Sequence, residues 1–181
     1  MLPLIFTQDC YKLLIVFAAS PGSRWQRKEL QKFTRLNNTQ IDRALRLLLS
    51  AAMLTKKKRL YALNHEQAIQ EHLINEYKRL RQLPFSVYFT IVDIVFFLAR
   101  HNVTVYLFGS YAKLTYKDTS DIDIAILWEE KIDKKSVANT QEKINRKYGE
   151  KLELHYFEKK SFMKNKGDPL VKDILKNGLQ L

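Results

Sequence analysis

One cysteine, Cys10, is all the thiol chemistry this chain has. It cannot form an internal disulfide, and no paired cysteines or Cys/His cluster offer the ligands of a structural zinc site. The compartment this implies is the reducing cytoplasm. An export signal is also lacking: Leu2 to Phe6 is apolar but carries no basic region, and Leu13 to Ala19 is followed by no small-residue cleavage pattern. The longest apolar segment, Leu83 to Ala99, is interrupted by Asp93 and contains Pro84 and Ser86, so it reads as a buried helix and no membrane partner is expected. There is no Gly-rich Walker loop and no Gly-x-Gly-x-x-Gly run, which removes two common ways of cradling phosphates. His65, His72 and His101 are scattered, no Ser-His-Asp arrangement can be drawn from spacing, and no internal repeat or low-complexity tract is present.

The 181 residues are 46% hydrophobic and 28% charged, a balance that supports folded domains rather than disorder. Acidic residues are scarce at one end. Residues 1–64 hold twelve Lys/Arg against Asp9, Glu29 and Asp42, an excess of +9, whereas the remaining residues carry only +3. This polarity points to a polyanion as the partner of the N-terminal third and to a different task for the rest.

Tyr11 to Ala19 reads as a first helix, closed by Ser20-Pro21-Gly22-Ser23. A second helix is expected from about Gln26 to Phe33. A third runs from about Gln40 to Ala51 with Asn38 or Thr39 as N-cap, and Ile41, Ala44, Leu45 and Leu48 recur at the spacing of one helix face. Met53-Leu54-Thr55 and Leu60-Tyr61-Ala62-Leu63 are strand-like pieces around the basic tip Lys56-Lys57-Lys58-Arg59. Three helices followed by such a hairpin resemble a winged helix-turn-helix domain over residues 1–64. The resemblance implies that the third helix presents Gln40, Arg43 and Arg46 to DNA or RNA while Lys56, Lys57, Lys58 and Arg59 meet phosphates. Docking onto another protein is the alternative use of such a domain.

Residues 65–84 read as a linker helix, with Ile69, Leu73, Ile74 and Tyr77 on one face and Pro84 ending it. A second domain is expected over residues 85–181. Its order is a buried helix from about Phe85 to Arg100, a strand Val103 to Phe108, a short helix from Ser110, and a strand Ile122 to Trp128. An amphipathic helix from about Lys135 to Tyr148, a strand Leu152 to Phe157 and terminal helices complete it.

The chemistry is concentrated in Phe108-Gly109-Ser110 and, ten residues on, Asp121-Ile122-Asp123. A strand that ends in Gly-Ser and turns into a helix presents backbone N–H groups and the positive end of a helix dipole, and phosphate is their natural occupant. Gly109 has no Cβ to hold a phosphate off, and Ser110 adds a hydroxyl donor. In a strand Asp121 and Asp123 share a face about 6.6 Å apart along the chain, leaving Ile122 and Ile124 to the core. Two carboxylates beside a phosphate site require cations, and Mg²⁺, which takes one or two carboxylates together with substrate phosphates, suits them. The apolar strand Leu152 to Phe157 offers a third acid, Glu153, on the face that also carries His155. An acid flanked by leucines in an interior strand needs a partner, and a metal or its bound water would serve.

With Gly109, Ser110, Ser120, Asp121, Asp123 and Glu153 in this arrangement, residues 85–181 resemble the DNA polymerase beta-like nucleotidyltransferases, particularly the minimal ones. The resemblance implies an α/β (α+β) nucleotidyltransferase fold, a mixed sheet flanked by helices. It also implies transfer of a nucleoside monophosphate from an NTP, with ATP the expected donor, to a hydroxyl acceptor. Asp121, Asp123 and Glu153 would hold two Mg²⁺ ions, or Mn²⁺ in their place, and Gly109, Ser110 and Ser120 would serve the nucleotide. Many minimal members have a basic residue straight after Gly-Ser and a glycine three residues later. Tyr111 and Leu114 stand there instead, and Lys113 is expected to supply the charge. Such proteins often act as antitoxins beside a HEPN-domain toxin, some by attaching AMP to it, and that toxin is the partner implied. Two other readings use the same residues: a DNA-binding regulator whose domain senses NTP or is inactive, and an enzyme acting on nucleic acid 3′ ends.

Overall fold

The structure, a computed structural model, describes residues 7–20, 22–64, 83–130 and 132–181. The linker helix expected over residues 65–84 lies almost entirely outside the described residues. The chain divides into two compact units, Met1–Phe85 and Ser86–Leu181.

In the first unit α1 (Gln8–Ala19) is apolar almost all round, so it is buried from Cys10 to Ala18, and Thr7 caps it by accepting the Cys10 N–H. The strand β1 (Arg24–Gln26) follows, a piece too short to leave a periodic signal in the sequence. It leads directly into α2 (Arg27–Thr34), whose Glu29 reaches back to the Gln26 N–H at 2.7 Å. The helix α3 (Asn38–Ser50) starts one residue before the expected caps. Asn37 accepts the Gln40 N–H at 2.9 Å and Gln40 accepts the Asn37 N–H at 3.1 Å, a reciprocal capping box. Ile41, Ala44, Leu45 and Leu48 form its buried face, as their spacing predicts. The hairpin of β2 (Leu54–Lys57) and β3 (Leu60–Leu63) closes through Lys58-Arg59, with Lys58 in the left-handed region at φ 57°. The three strands pair antiparallel in the order β1-β3-β2.

The second unit begins on α4 (Phe85–Leu98), which buries residues on every side from Val87 to Ile94. Its one acid, Asp93, accepts from Tyr148 Oη at 2.8 Å and from Lys147 Nζ at 3.1 Å, both on α6 (Lys134–Tyr148). The charge that breaks the apolar run is thus an internal clamp between two helices. Among the described residues no helix is long and apolar enough to cross a membrane.

The sheet of this unit is mixed, in the order β6-β5-β4-β7, from β4 (Val103–Phe108), β5 (Ile122–Trp128), β6 (Leu152–Glu158) and β7 (Leu179–Gln180). β5 runs parallel to β6, which demands a crossover, and α6 provides it. The other pairs are antiparallel. The short helices α5 (Gly109–Lys113), α7 (Lys159–Lys164) and α8 (Pro169–Asn177) complete the chain. Strand alternation sends Ile122, Ile124 and Ile126 to one buried face. On the other, Phe108, Ala125 and Leu127 pack under Phe162 of α7 and Val171 and Ile174 of α8. Mixed sheet and flanking helices agree with the fold class expected from the sequence.

Removing the Asp93 carboxylate takes away an acceptor of the Tyr148 hydroxyl and of the Lys147 ammonium and breaks the clamp. Asp93→Ala is expected to destabilise the second unit by about 2–3 kcal/mol. Urea unfolding followed by Trp128 fluorescence in a Trp25→Phe background measures this, and an unchanged midpoint would show that the clamp contributes nothing.

Candidate active site

The register of β5 on its neighbours builds the site. Asp123 stands opposite Glu153 in the parallel pair and opposite Phe108 in the antiparallel pair, while Ala125 stands opposite His155. Asp123, Glu153, His155 and Phe108 therefore share the face that carries the Phe162, Val171 and Ile174 core farther along, at an end of it that leaves the carboxylates part-exposed. One donor atom from each of Asp123, Glu153 and His155 lies within 4.8 Å of the other two. His155 Nε2 is 3.6 Å from Asp123 Oδ1 and 3.7 Å from Glu153 Oε1. Both separations exceed hydrogen-bond range, and this nitrogen is buried without a hydrogen-bond partner. Phe108 fixes the imidazole with an edge contact, ring centroids 5.1 Å apart.

Gly109 is the residue that the site cannot exchange. Its φ of +69° lies in the left-handed region, and a Cβ there would overlap Asp123 Oδ2 and come within 3.0 Å of Asp123 Cγ. The sequence marks this glycine for the approach of a phosphate; the structure adds the approach of the carboxylate. Burial holds the Asp123 carboxyl above its ordinary value, the nearby His155 opposes that shift, and Glu153 and Asp121 reinforce it. Two carboxylates and an unsatisfied imidazole nitrogen suit a divalent cation.

The other expected site residues are placed differently. Asp121 lies just before β5 and its Oδ2 is 2.7 Å from Lys151 Nζ, so it is engaged by the residue that opens β6 rather than gathered with the other three. That contact raises the Lys151 ammonium above its ordinary value. Ser120 Oγ accepts the Lys117 N–H at 2.9 Å, fixing the turn that delivers Asp121. Ser110 sits in the first turn of α5, and its carbonyl accepts the Thr115 N–H at 2.9 Å. Lys113 turns away to Asp173 on α8, 2.8 Å from that carboxylate, and holds it below its ordinary value. Tyr111 is buried and stacks on Tyr116 with centroids 4.5 Å apart. His155 and Lys151 carry site roles that the motifs alone do not assign. Their signal is parity: Lys151, Glu153 and His155 are two apart, like Asp121 and Asp123.

The basic residues of the first unit separate into engaged and exposed groups. Gln40 is used by its own helix cap and lies 3.5 Å from Asp9. Arg43 and Arg46 are exposed on α3. Beside them Asp42 is bound by Arg27 through two contacts of 2.6 and 3.0 Å, which hold its carboxyl below the ordinary value. Lys56, Lys57, Lys58 and Arg59 are exposed on the hairpin, and Lys56 lies over the Tyr61 ring at 5.2 Å. A cleft of about 380 Å³ is lined by Gln26, Arg27, Lys28, Lys56, Arg59 and Tyr61.

No curated protein and no solved structure matches the chain. Residues 93–180, a little under half of it, match the family described as Polymerase beta, Nucleotidyltransferase. That span runs from the buried Asp93 through Gly109, Asp123, Glu153 and His155 to β7, and the match supports a DNA polymerase beta-like nucleotidyltransferase domain there.

Proposed function

We propose that the second unit transfers a nucleoside monophosphate from an NTP, with ATP as the donor, to a hydroxyl acceptor with the help of a divalent cation. The observation that carries this is the in-register placement of Asp123 on Glu153, with His155 behind them and Gly109 against them. The acceptor oxygen forms a bond to the α-phosphorus, the bond from that phosphorus to the bridging oxygen breaks, and pyrophosphate leaves. Asp123 and Glu153 would together hold the cation, and Glu153, the more exposed of the two facing acids, would also take up the acceptor proton. A bound Mg²⁺ or Mn²⁺ supplies neutralisation of the phosphate charge. Gly109 leaves room for the Asp123 carboxylate, and the turn at Ser110 would offer backbone N–H donors to a phosphate. Asp121, paired with the exposed Lys151, would serve as a further ligand to the cation. A protein hydroxyl, as on a HEPN-type toxin, is the acceptor this reading favours.

The first unit contributes nucleic-acid contact. Its element order α1-β1-α2-α3-β2-β3, with strands ordered β1-β3-β2, suits a winged helix-turn-helix, and the cations of α3 and the hairpin are exposed, as are Arg24, Lys28, Lys32 and Arg35. Gln40, tied into its cap, is the weakest candidate for reading bases, and Lys28 beside Lys56 and Arg59 in the 380 Å³ cleft is an added phosphate contact.

Incubating the full chain with α-³²P-ATP and Mg²⁺ or Mn²⁺ in a lysate is expected to label a protein acceptor, and Asp123→Asn to reduce labelling by at least about 100-fold. Label on an oligonucleotide 3′ end would replace the protein acceptor by a nucleic acid, and label retained in Asp123→Asn would remove the carboxylate mechanism. The same variant gives a folding control. The folded chain binds the Asp123 proton more tightly than the unfolded chain does, so stability falls as pH rises from the ordinary carboxylate value through the raised one. The penalty is complete once the pH is above the raised value. In chelator, Asp123→Asn is expected to unfold at higher urea than wild type at pH 7, with the two converging below about pH 4.

For the first unit, fluorescence anisotropy of the full chain with a DNA duplex is expected to show affinity that falls steeply with salt. Replacing Lys56, Lys57, Lys58 and Arg59 by Ala is expected to flatten the log–log slope by roughly 0.9 for each phosphate that is no longer neutralised. An unaltered slope would place the phosphate-binding cations elsewhere.

A further inference from the structure

We infer that His155 is itself a metal ligand, which makes the site one of two carboxylates and an imidazole nitrogen and gives it a preference for Mn²⁺, Co²⁺ or Zn²⁺ over Mg²⁺. The inference deepens the reading above and rests on it in taking Asp123 and Glu153 as ligands.

Three observations converge on His155. Its Nε2 is buried and has no hydrogen-bond partner, although two carboxylate oxygens are the nearest acceptors. The gaps of 3.6 and 3.7 Å are too long for hydrogen bonds. They are close to the spacing of ligand atoms around one ion, since two donors each about 2.0–2.2 Å from a metal stand roughly 3–3.6 Å apart at angles between right and tetrahedral. The ring is also held in place: Phe108 meets it edge-on, and strand pairing sets Phe108 opposite Asp123. A histidine kept only for packing would have no reason to aim a buried nitrogen at the gap between two acids.

Ligand chemistry then determines the ion. Mg²⁺ favours an all-oxygen octahedral shell and keeps several waters, whereas imidazole is a good ligand for the later first-row ions. Replacing one oxygen position by nitrogen therefore weakens Mg²⁺ relative to Mn²⁺, Co²⁺ and Zn²⁺.

The test is pulsed electron paramagnetic resonance of Mn²⁺ bound to the full chain, with Mn²⁺ and Mg²⁺ affinities measured alongside by calorimetry without nucleotide. Wild type is expected to show ¹⁴N coupling from a directly bound nitrogen, and His155→Gln to lose it. Mn²⁺ affinity should fall at least about tenfold in that variant, the scale that even an outer partner of a ligand carries, with a much smaller change for Mg²⁺. A second variant, His155→Asp, restores a third ligand as oxygen. It is expected to bind metal again, without ¹⁴N coupling and with the preference moved toward Mg²⁺, which separates a ligand role from a folding role. Mn²⁺ bound without ¹⁴N coupling, in wild type and His155→Gln alike, and no longer bound in Asp123→Asn, overturns the inference and leaves the carboxylate site standing. If wild type binds no Mn²⁺ at all, both fall.

Discussion

The parallel pairing of β5 with β6 is the constraint on which the site depends. Side chains alternate along a strand, so a slip of one residue would send Glu153 and His155 to the face opposite Asp123. The slip is opposed by what it would do to the apolar residues: Ile122, Ile124 and Leu152, buried on the face away from the carboxylates, would change places with charge. Backbone pairing adds a local lock, because the Ile122 N–H donates to the Lys151 carbonyl at 2.8 Å just where the strands begin. A polar site is thus aligned by the hydrophobic face it does not touch. The crossover helix α6 closes the same pair, and its end is clamped to α4 through Asp93.

Asp123 works against that stability. It is part-buried, it faces Glu153, and Gly109 is pressed against it where any larger residue would displace it. Burial and the facing Glu153 disfavour the charged carboxylate. Lys151 pairs with Asp121, but it is largely exposed and can yield to a cation. Among the described residues no lysine or arginine pairs with Asp123, and the His155 ring is the basic group beside it. The two acids of the Asp-x-Asp pair thus differ: Asp121 is paired with an exposed ammonium and Asp123 is not.

Much of this is legible in the sequence because it is written in short-range pattern. The i, i+3, i+4, i+7 run of Ile41, Ala44, Leu45 and Leu48, the apolar run of β5, and Gly-Ser followed by Asp-x-Asp all declare themselves within a few residues. What stays hidden depends on pairing across the chain. The strands β1 and β7 are three and two residues long and exist only because β3 and β4 offer an edge. Closeness to Gly109 assigns Lys113 to phosphate, yet Asp173, sixty residues on, takes it. His155 can be placed on the face of Glu153, but its distance to Asp123 is set by the register of two strands separated by α6. Gln40 reads as an exposed contact, whereas a capping box with Asn37 uses its side chain. In each case a local rule is outweighed by a partner that sequence spacing does not reveal.

The two units meet anions by different physics. Arg43, Arg46 and the hairpin cations stand in solvent, where a charge is attracted to a phosphate over a Debye length of about 8–10 Å and is screened in proportion to salt. Attraction of that kind gathers a polyanion without choosing its orientation. In the proposed reading the carboxylate site works in the opposite sense: its negative groups are clustered, Asp123 partly withdrawn from water, and a phosphate would be attracted only after a cation had entered. There the interaction is short-ranged, weakly screened and directional, because ligand atoms fix where the ion and hence the phosphate must lie. The excess of +9 over residues 1–64 against +3 over the remainder is the sequence-level trace of this division: loose attraction needs net charge, whereas positioning needs a few groups in register.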